Sequence, residues 1–588
     1  MKHPRLDFAR DRFQVLDGLW DFEFDDSNEG LASKWYEDHA FENRINVPYV
    51  PQCRKSMVED ASYHPIMWYA TSFETPFDNA YIVFGAVDFK CSVFVNGMHV
   101  GDHEGGYLPF SLHMAPFLNG IGCMNRLVVR VEDRNDESQL RGKQYWRDLP
   151  DRCWYIPSSG IWQSVYLEER PGTYIENILC TPDIDSSMVH VRAVFNVRFS
   201  GSIGFSVSKD GAEVVFASIC SSGREVSVCV PIPVGDEVDE TNYWSPENPV
   251  LFRLDATIFG DGPCDHVSTY FGMRKIDVID GRVFLNNKPY FQRLVLDQGY
   301  FPQGLLTGTE SEFEHDIRLI KDLGFNGVRM HQKIENPLFL HLADKLGLLV
   351  WDEVPSGYSF DSFERKQLYE TMQGLIERDF NHPCVVCWVP LNESWGVRKI
   401  CASKEVQSFA VSLYHMVKAL DPTRLVSTND GWEQVESDIC AVHDYAKDAA
   451  VLLGRWNGES VPLACPERKT YANGFEYEDK PVFITEFGGV ALKNLCGADS
   501  EPISEPDGDA GKACTTVEGW GYEGVESNVE GLLSRVGGLM SAVLSLPRVN
   551  GYCYTQFTDV FQEINGLMDI ERRPKAAISS LNNIFSVH

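Results

Sequence analysis

Three rhythms of apolar and polar positions follow one another along the chain. From residue 1 to 172, short apolar runs are separated by turn residues. In one run Cys91, Val93 and Val95 alternate with Ser92 and Phe94, and Asn96-Gly97 follows, a dipeptide suited to the left-handed conformations of a tight hairpin. Gly105-Gly106-Tyr107 and Ser159-Gly160-Ile161-Trp162 mark further turns. This pattern predicts a β-sandwich of jelly-roll type. From 173 to 277 the rhythm changes. Val189, Val191, Ala193, Phe195, Val197 and Phe199 occupy odd positions, with His190, Arg192, Asn196 and Arg198 between them, which predicts a strand with one inward face. The length and strand density suit a small immunoglobulin-like sandwich, interrupted by Trp244-Ser245-Pro246-Glu247-Asn248-Pro249.

From 278 to 588 strands alternate with helices. The predicted strands are Phe291–Gln298, Asn326–Gln332, Leu348–Pro355, Val385–Ser394, Arg424–Gly431, Ile439–Ala446, Val482–Gly489 and Gly551–Asp559. Thr309 and Glu312 have the spacing of a capping box ahead of Phe313, Ile317 and Ile320 on one helix face. Val406, Phe409, Leu413, Met416 and Leu420 step by three and four along another. Eight β-then-α units predict a closed (β/α)8 TIM barrel. An open doubly wound sheet is the alternative, disfavoured because no glycine-rich nucleotide turn follows any of these strands. The acidic, Gly/Pro/Ser-rich stretch from Ala498 to Thr516 predicts a mobile loop.

Composition narrows the function classes. For 588 residues the length prior is roughly four domains of about 150, and a large barrel reduces this to three. Lys+Arg number 52 against 85 Asp+Glu, a formal charge of −33. Such a field repels nucleic-acid backbones and anionic membranes as general partners, and disfavours a uronate substrate unless a local cation offsets it. The 12% aromatic content is compatible with sugar stacking and equally with core packing. The first residues carry no apolar signal segment, and no run of about 18 apolar residues occurs. The 16 cysteines are scattered, many within apolar runs, which predicts reduced, buried thiols and a cytoplasmic location. Cys384-Val385-Val386-Cys387 sits in an apolar strand without a second pair, so it reads as core rather than as a metal or redox site.

In a β/α barrel the chemistry gathers at the C-terminal ends of the strands. Glu393 closes the fourth predicted strand and Glu486 the seventh. Two carboxylates facing one pocket are what retaining glycoside hydrolysis needs: one protonates the leaving oxygen and then activates water, and the other attacks the anomeric carbon. The competing reading is that each caps a helix or pairs with an arginine. Other polar groups at strand ends are candidate sugar contacts: Asp297, His331, Asp352, His443, Gln556 and Asp559. Trp351 and Trp388 lie inside strands and read as packing, whereas Trp395 and Trp520 lie in loops and could line a pocket. Asp352 and Glu353 together could hold a divalent ion, but barrel-mouth salt bridges explain them as well.

Asn392-Glu393 and Thr485-Glu486-Phe487-Gly488 resemble the acid/base and nucleophile motifs of glycoside hydrolase family 2, which contains β-galactosidases, β-glucuronidases and β-mannosidases. The resemblance extends over essentially the whole chain. Gly18-Leu19-Trp20 and Ser159-Gly160-Ile161-Trp162 are similar to the family's amino-terminal sandwich, and Trp244-Ser245-Pro246-Glu247-Asn248-Pro249 and Phe271-Gly272-Met273-Arg274 to its immunoglobulin-like domain. The resemblance implies that Glu393 is the acid/base, Glu486 the nucleophile, Asn392 a ligand of the sugar 2-hydroxyl, Tyr445 a hydrogen-bond partner of the nucleophile, and Arg329 the charge that keeps it ionised. It implies a retaining exo-β-glycosidase, most like the β-galactosidase branch, with a carbohydrate substrate and no required cofactor. It also suggests a homo-oligomer.

The walls depart from the family pattern. The first strand reads Arg293-Leu294-Val295-Leu296-Asp297-Gln298 where β-galactosidases have Asn-Arg-His. The second reads Arg329-Met330-His331-Gln332-Lys333 in place of Arg-x-Ser-His-Tyr-Pro. Thr555 stands near the position of the tryptophan that packs under the sugar. Asn286-Asn287-Lys288 has the letters of the uronate-binding Asn-x-Lys motif but precedes the first strand, where its turn residues predict a hairpin. The glycone therefore stays open, with β-galactoside leading, β-mannoside, galactofuranoside and arabinoside as alternatives, and a β-glucuronide ranked low. A carbohydrate-binding protein without turnover is a rival from another class, disfavoured by the intact glutamate motifs. A structural interaction protein has only the two sandwiches in its favour.

Overall fold

The computed structural model describes residues 2–147, 150–232, 240–260, 264–456, 464–465, 468–493 and 519–586. The predicted loop from Ala498 to Thr516 lies outside the described residues.

The amino-terminal sandwich packs a four-stranded sheet against a six-stranded one. Its core holds Trp20, Phe22, Tyr69, Cys91, Val93, Val95 and Val129. Lys90–Val95 and Met98–Glu104 form the expected hairpin, with Asn96 and Gly97 both at positive φ. Phe94 differs from its place in the simple alternation. It is buried on the sheet's other face, stacked on Tyr36 in a small second cluster around Trp68.

The second domain pairs a three-stranded sheet (Ile175–Asp183, Met188–Phe195 and Glu225–Pro231) with a four-stranded one (Gly201–Lys209, Ala212–Ser221, Phe252–Phe259 and His266–Phe271), the seven-strand count of an immunoglobulin-like sandwich. Val189, Val191, Ala193 and Phe195 point into its core. The strand ends at Phe195, so Val197, which continues the odd-numbered series, is exposed instead. Trp244 and Arg274 fasten this domain to the closed end of the barrel: the Trp244 indole donates to the Asp344 carbonyl (2.8 Å) and the Arg274 guanidinium to those of Pro383 and Val385. Only a glycine fits at 272, because a Cβ there would approach Trp244 to 2.8 Å and Pro383 to 2.9 Å. Asn286-Asn287 turns a surface hairpin between Arg282–Leu285 and Lys288–Pro289.

Eight parallel strands form the barrel: β1 (Gln292–Asp297), β2 (Gly327–Met330), β3 (Leu349–Glu353), β4 (Val385–Val389), β5 (Leu425–Val426), β6 (Cys440–His443), β7 (Val482–Gly488) and β8 (Val549–Thr555). The backbone ladder runs β5-β4-β3-β2-β1-β8-β7-β6. Between β5 and β6, Asp438 closes the gap. Its backbone N–H donates to the Val426 carbonyl, and its carboxylate accepts from the Val426 N–H at 3.0 Å, from Tyr414 and from Lys418. The capping box holds, with Thr309 and Glu312 bonded reciprocally at the start of helix Glu310–Asp322, whose Phe313, Ile317 and Ile320 are buried. In helix Lys404–Leu420, Val406, Phe409 and Leu413 are buried, with Met416 and Leu420 half-buried. Trp351 and Trp388 are fully buried inside the strands.

Cys384 and Cys387 are buried free thiols. The cysteines are not all core residues, since Cys123, Cys220, Cys229 and Cys264 are exposed. Among the described residues no helix is long and apolar enough to cross a membrane.

Asp438→Leu removes the side-chain acceptor at the β5–β6 seam while keeping similar volume. An unpaired buried N–H costs about 1–3 kcal/mol, so a fall of several degrees in the thermal midpoint is expected by calorimetry. An unchanged midpoint would mean that the seam is closed by packing alone.

Candidate active site

The strand ends bring Arg329, His443 and four carboxylate-bearing side chains together. Arg329, on β2, is fully buried. Its Nε donates to Glu353 (2.8 Å), its Nη1 to Glu486 (2.9 Å) and its Nη2 to the Asn392 Oδ1 (2.7 Å), and Nη1 also lies 3.2 Å from Asp430. Burial opposes the charge, but Asp430, Glu353 and Glu486 outweigh it and hold the guanidinium ionised. Burial pushes the Glu353 carboxyl up to about 7 even with Arg329 beside it.

Glu486 lies on β7. Its second oxygen accepts from the Tyr445 hydroxyl at 2.5 Å. Both oxygens thus accept from a donor, one charged and one neutral. Tyr445 also reaches the Thr555 hydroxyl (3.2 Å) and stacks face to face on Tyr522, with centroids 3.7 Å apart. The tyrosine pair therefore flanks the position where the resemblance led one to look for an indole.

Glu393 follows a short parallel pairing of Leu391–Asn392 with Asn429–Asp430, which extends β4 and β5 towards the mouth. Its φ is 50°, a left-handed conformation costly for a side-chain-bearing residue, pinned by its N–H to the Asp430 carbonyl (2.9 Å). Its carboxylate meets His443 Nδ1 at 2.7 Å and the Trp395 indole at 3.2 Å. The other nitrogen of His443 lies 2.8 Å from Asp430 and 3.5 Å from Glu486. Burial works against an imidazolium, but Glu486, Asp430 and Glu393 raise the His443 pKa to about 10. Burial likewise pushes Glu393 up, and the hydrogen bond and charge of His443 more than offset this, leaving its carboxyl below the usual range. One carboxylate oxygen each of Glu393 and Glu486, and a nitrogen of His443, all lie within 4.8 Å of one another.

Asn392 uses its carbonyl oxygen on Arg329, which leaves its fully buried Nδ2 donor without a protein partner. His331 is buried, with Nδ1 3.2 Å from Glu353 and 4.0 Å from Glu486. Burial holds it well below the usual histidine range and hence neutral, with Lys143 and Arg329 adding to the effect. Gln556 accepts from Gln298 (3.0 Å), and Gln556 Nε2 and Gln298 Oε1 are left unpaired.

Three predicted contacts belong elsewhere. Asp297 caps the Gly299 N–H and sits among the charges of Asp316, Lys333, Glu335 and Arg572, on the helix side of β1. The residue that reaches Gln556 is its neighbour Gln298, because successive strand residues face opposite sides. Asp352 is likewise out of phase with Glu353. It lies against Asp379, and burial together with that carboxylate raises its pKa well above normal. The two acids therefore do not converge on one ion. Asp559 is held by Lys575 (2.6 Å) and the Gly566 N–H (2.8 Å), a structural ion pair. Trp520 is half-buried and reaches Glu486 only through Tyr522 and Tyr445.

Asp430 was missed, although the rule that found Glu393 applies equally to the end of the fifth strand. Glu563 and Lys143 had no such signal. Glu563 lies in the loop after β8, and Lys143 comes from a loop of the amino-terminal sandwich. That loop is seated on the barrel by the Arg141 and Gly142 N–H groups, both 3.0 Å from the Ser356 carbonyl. Of the two groups with ligand-like spacing, Asp344, His382 and Cys384 form a closed knot at the other end of the barrel, where both Asp344 oxygens already accept hydrogen bonds. In the other, Glu393–His443–Glu486, the two imidazole nitrogens lie 2.7 Å from Glu393 and 2.8 Å from Asp430.

This three-domain architecture, with carboxylates converging at the barrel mouth, defines a carbohydrate-processing enzyme. The chain belongs to glycoside hydrolase family 2: residues 13–171 match the family's sugar binding domain, 173–274 its middle domain, and 276–504 its TIM barrel domain. It is a glycoside hydrolase. It is 25% identical over 549 residues to a β-glucuronidase of Rattus norvegicus, covering 82% of this chain and 78% of that protein. It is also 25% identical over 492 residues to a β-galactosidase of Enterobacter cloacae, covering 73% of this chain and 44% of that one. Among solved structures it resembles a β-glucuronidase of Ruminococcus gnavus in complex with D-glucuronic acid (TM-score 0.77, 17% identity, 99% of this chain and 98% of that one). It also resembles a β-galacturonidase of Eisenbergiella tayi bound to galacturonate (TM-score 0.72, 22% identity, 98% and 97%).

The His443 charge generates a pH signature. Its folded-state pKa lies above the ordinary value of about 6.5, so the stability it contributes is complete below about pH 6.5 and lost as pH rises through about 10. His443→Gln is expected to lower the thermal midpoint most at pH 6 and least near pH 10. A pH-independent difference would mean that the imidazole is neutral in the fold.

Proposed function

We propose that the protein is a retaining exo-β-glycosidase acting by double displacement, with Glu486 as nucleophile and Glu393 as acid/base. The observation that carries this reading is the approach of the two carboxylates to within 4.8 Å across His443. Retaining enzymes have carboxyl groups about 5–5.5 Å apart, whereas an inverting pair must leave room for a water at about 6.5–9.5 Å. Arg329 and Tyr445 hold the two oxygens of Glu486 in place for attack on C1. The hydrogen-bonded Glu393–His443 pair holds one proton. As the glycosidic bond breaks, that proton moves from His443 Nδ1 across the 2.7 Å contact to Glu393 and on to the departing oxygen, leaving the pair one proton short until the second step restores it. In the second step Glu393 takes a proton from water, the hydroxide attacks C1, and Glu486 leaves as a carboxylate. The free Asn392 Nδ2 suits a sugar 2-hydroxyl. These steps require neither a metal nor a redox group. The altered β1, β2 and β8 walls leave β-galactosides as the reference substrates against which other glycones are compared.

Glu486→Gln is expected to reduce turnover of aryl β-glycosides by at least about 10⁴-fold while leaving the thermal midpoint within a few degrees. Retained activity would remove Glu486 as nucleophile. Proton NMR of the wild-type reaction is expected to show the β anomer of the released sugar first. An α anomer would require carboxylates farther apart than these.

A further inference from the structure

We propose that Lys143 is the anion subsite of this pocket and that the glycone it selects carries a carboxylate, so that the substrates are β-glycosides of uronic acids. The inference rests on the exo-β-glycosidase reading and adds the chemical class of the sugar.

The basic side chains around the pocket are nearly all paired within 4 Å of a carboxylate: Arg329 with Glu353 and Glu486, Lys333 with Glu335, Arg455 with Asp444, Arg468 with Glu433 and Lys575 with Asp559. Lys143 has no such partner, and it is less exposed than Arg398, which lies over Trp395 and also makes no ion pair among the described residues. Lys143 is half-buried, and among the described residues its ammonium has no carboxylate within that distance. Its one close side-chain neighbour in these terms is the Trp154 ring, whose centroid lies 6.0 Å below the ammonium. The carboxylates whose fields it feels are Glu393 and Glu563, and both are committed. Glu393 accepts from His443 and Trp395. Glu563 accepts from the Tyr155 hydroxyl on one oxygen and from Asn565 (3.0 Å) on the other. Three N–H donors and a full charge are thus presented beside the acid/base, with no carboxylate within 4 Å among the described residues.

The placement of this cation is built rather than incidental. The Gly142 backbone has φ 57° and lies so close to the barrel that a Cβ would come within 2.1 Å of the Gln332 carbonyl oxygen. The Tyr358 hydroxyl donates to the Gly142 carbonyl, and the Lys143 carbonyl accepts from the Tyr155 N–H at 2.8 Å. Trp154 is fixed by its indole to the Tyr358 hydroxyl (3.0 Å) and sits edge-on to Trp395 (5.1 Å), which itself bonds Glu393. The backbone on both sides of Lys143 is therefore tied to the same frame as the acid/base. Burial opposes the ammonium, the fields of neighbouring groups, Glu563 and Glu393 among them, more than offset it, and a ligand carboxylate would add a direct charge-assisted pair. The surroundings make such a cation necessary for an anionic substrate: the chain carries a formal charge of −33, and the pocket itself is lined by carboxylates.

The test compares aryl β-D-galacturonide and β-D-glucuronide with the matching galactoside and glucoside, which differ only in carboxylate against hydroxymethyl at C5. Wild-type kcat/KM is expected to favour a uronide over its neutral counterpart by at least tenfold. In Lys143→Met that uronide-to-neutral ratio is expected to fall by 30-fold or more, mainly through KM, and Lys143→Arg is expected to restore most of it. A wild-type preference for the neutral sugar, or an equal loss on both sugars in Lys143→Met, would overturn the proposal. Calorimetric binding of free galacturonate and glucuronate to Glu486→Gln separates this from the catalytic reading. Uronate binding that disappears with Lys143→Met added, in a protein without turnover of any glycoside, would keep the subsite and reject the glycosidase. Turnover of neutral glycosides without uronate binding would do the reverse.

Discussion

Arg329 places a single fixed positive charge where Glu353, Asp430 and Glu486 converge, and the geometry of the pocket depends on that guanidinium. Each carboxylate would be prohibitively costly to bury alone, and removing one member of such a cluster leaves the others uncompensated. The planar fork also fixes directions: one nitrogen orients Glu486, another takes the oxygen of Asn392 and so turns its free amide donor outward. His443 adds a second cation between Asp430, Glu393 and Glu486. The site is thus a lattice of alternating charges, in which Glu486 has a donor on each oxygen and Glu393 is hydrogen-bonded to an imidazole.

The barrel alone does not complete this arrangement. The loop carrying Arg141, Gly142, Lys143 and Trp154 belongs to the amino-terminal sandwich, yet it is bonded to Ser356 and Tyr358 on the barrel. Tyr155 from the same loop donates to Glu563, which follows β8. The sandwich therefore contributes one wall of the pocket, including the Lys143 ammonium, which has no carboxylate within 4 Å among the described residues. At the opposite end, Trp244 and Arg274 tie the immunoglobulin-like domain to the barrel floor. The three domains brace the barrel from both ends, which suits a site that needs its groups held to within fractions of an ångström.

Strand phase explains where reading by position went astray. Asp297, Asp352 and Asp559 all stand at strand ends, as Glu393 and Glu486 do. A strand turns successive side chains to opposite faces, however, so a shift of one residue exchanges pocket for helix layer. Asp297 and Asp352 face the helices, whereas Gln298 and Glu353 face inward. Asp559 lies past the end of β8, where Lys575 claims it.

The sequence by itself determined the three-domain order, the eight β/α units, the capping box at Thr309, the hairpin at Asn96-Gly97 and the two glutamates at barrel strand ends, because these follow from local periodicity, turn chemistry and short motifs. It also placed Arg329, His443 and Tyr445 at the mouth. Only the tertiary structure decided which neighbour of each strand-end pair faces the pocket, that Asp430 and His443 join the charge lattice, and that a lysine from another domain stands beside Glu393. Those outcomes depend on barrel closure, register and domain docking, which bring together residues hundreds of positions apart and leave no periodic trace in the chain.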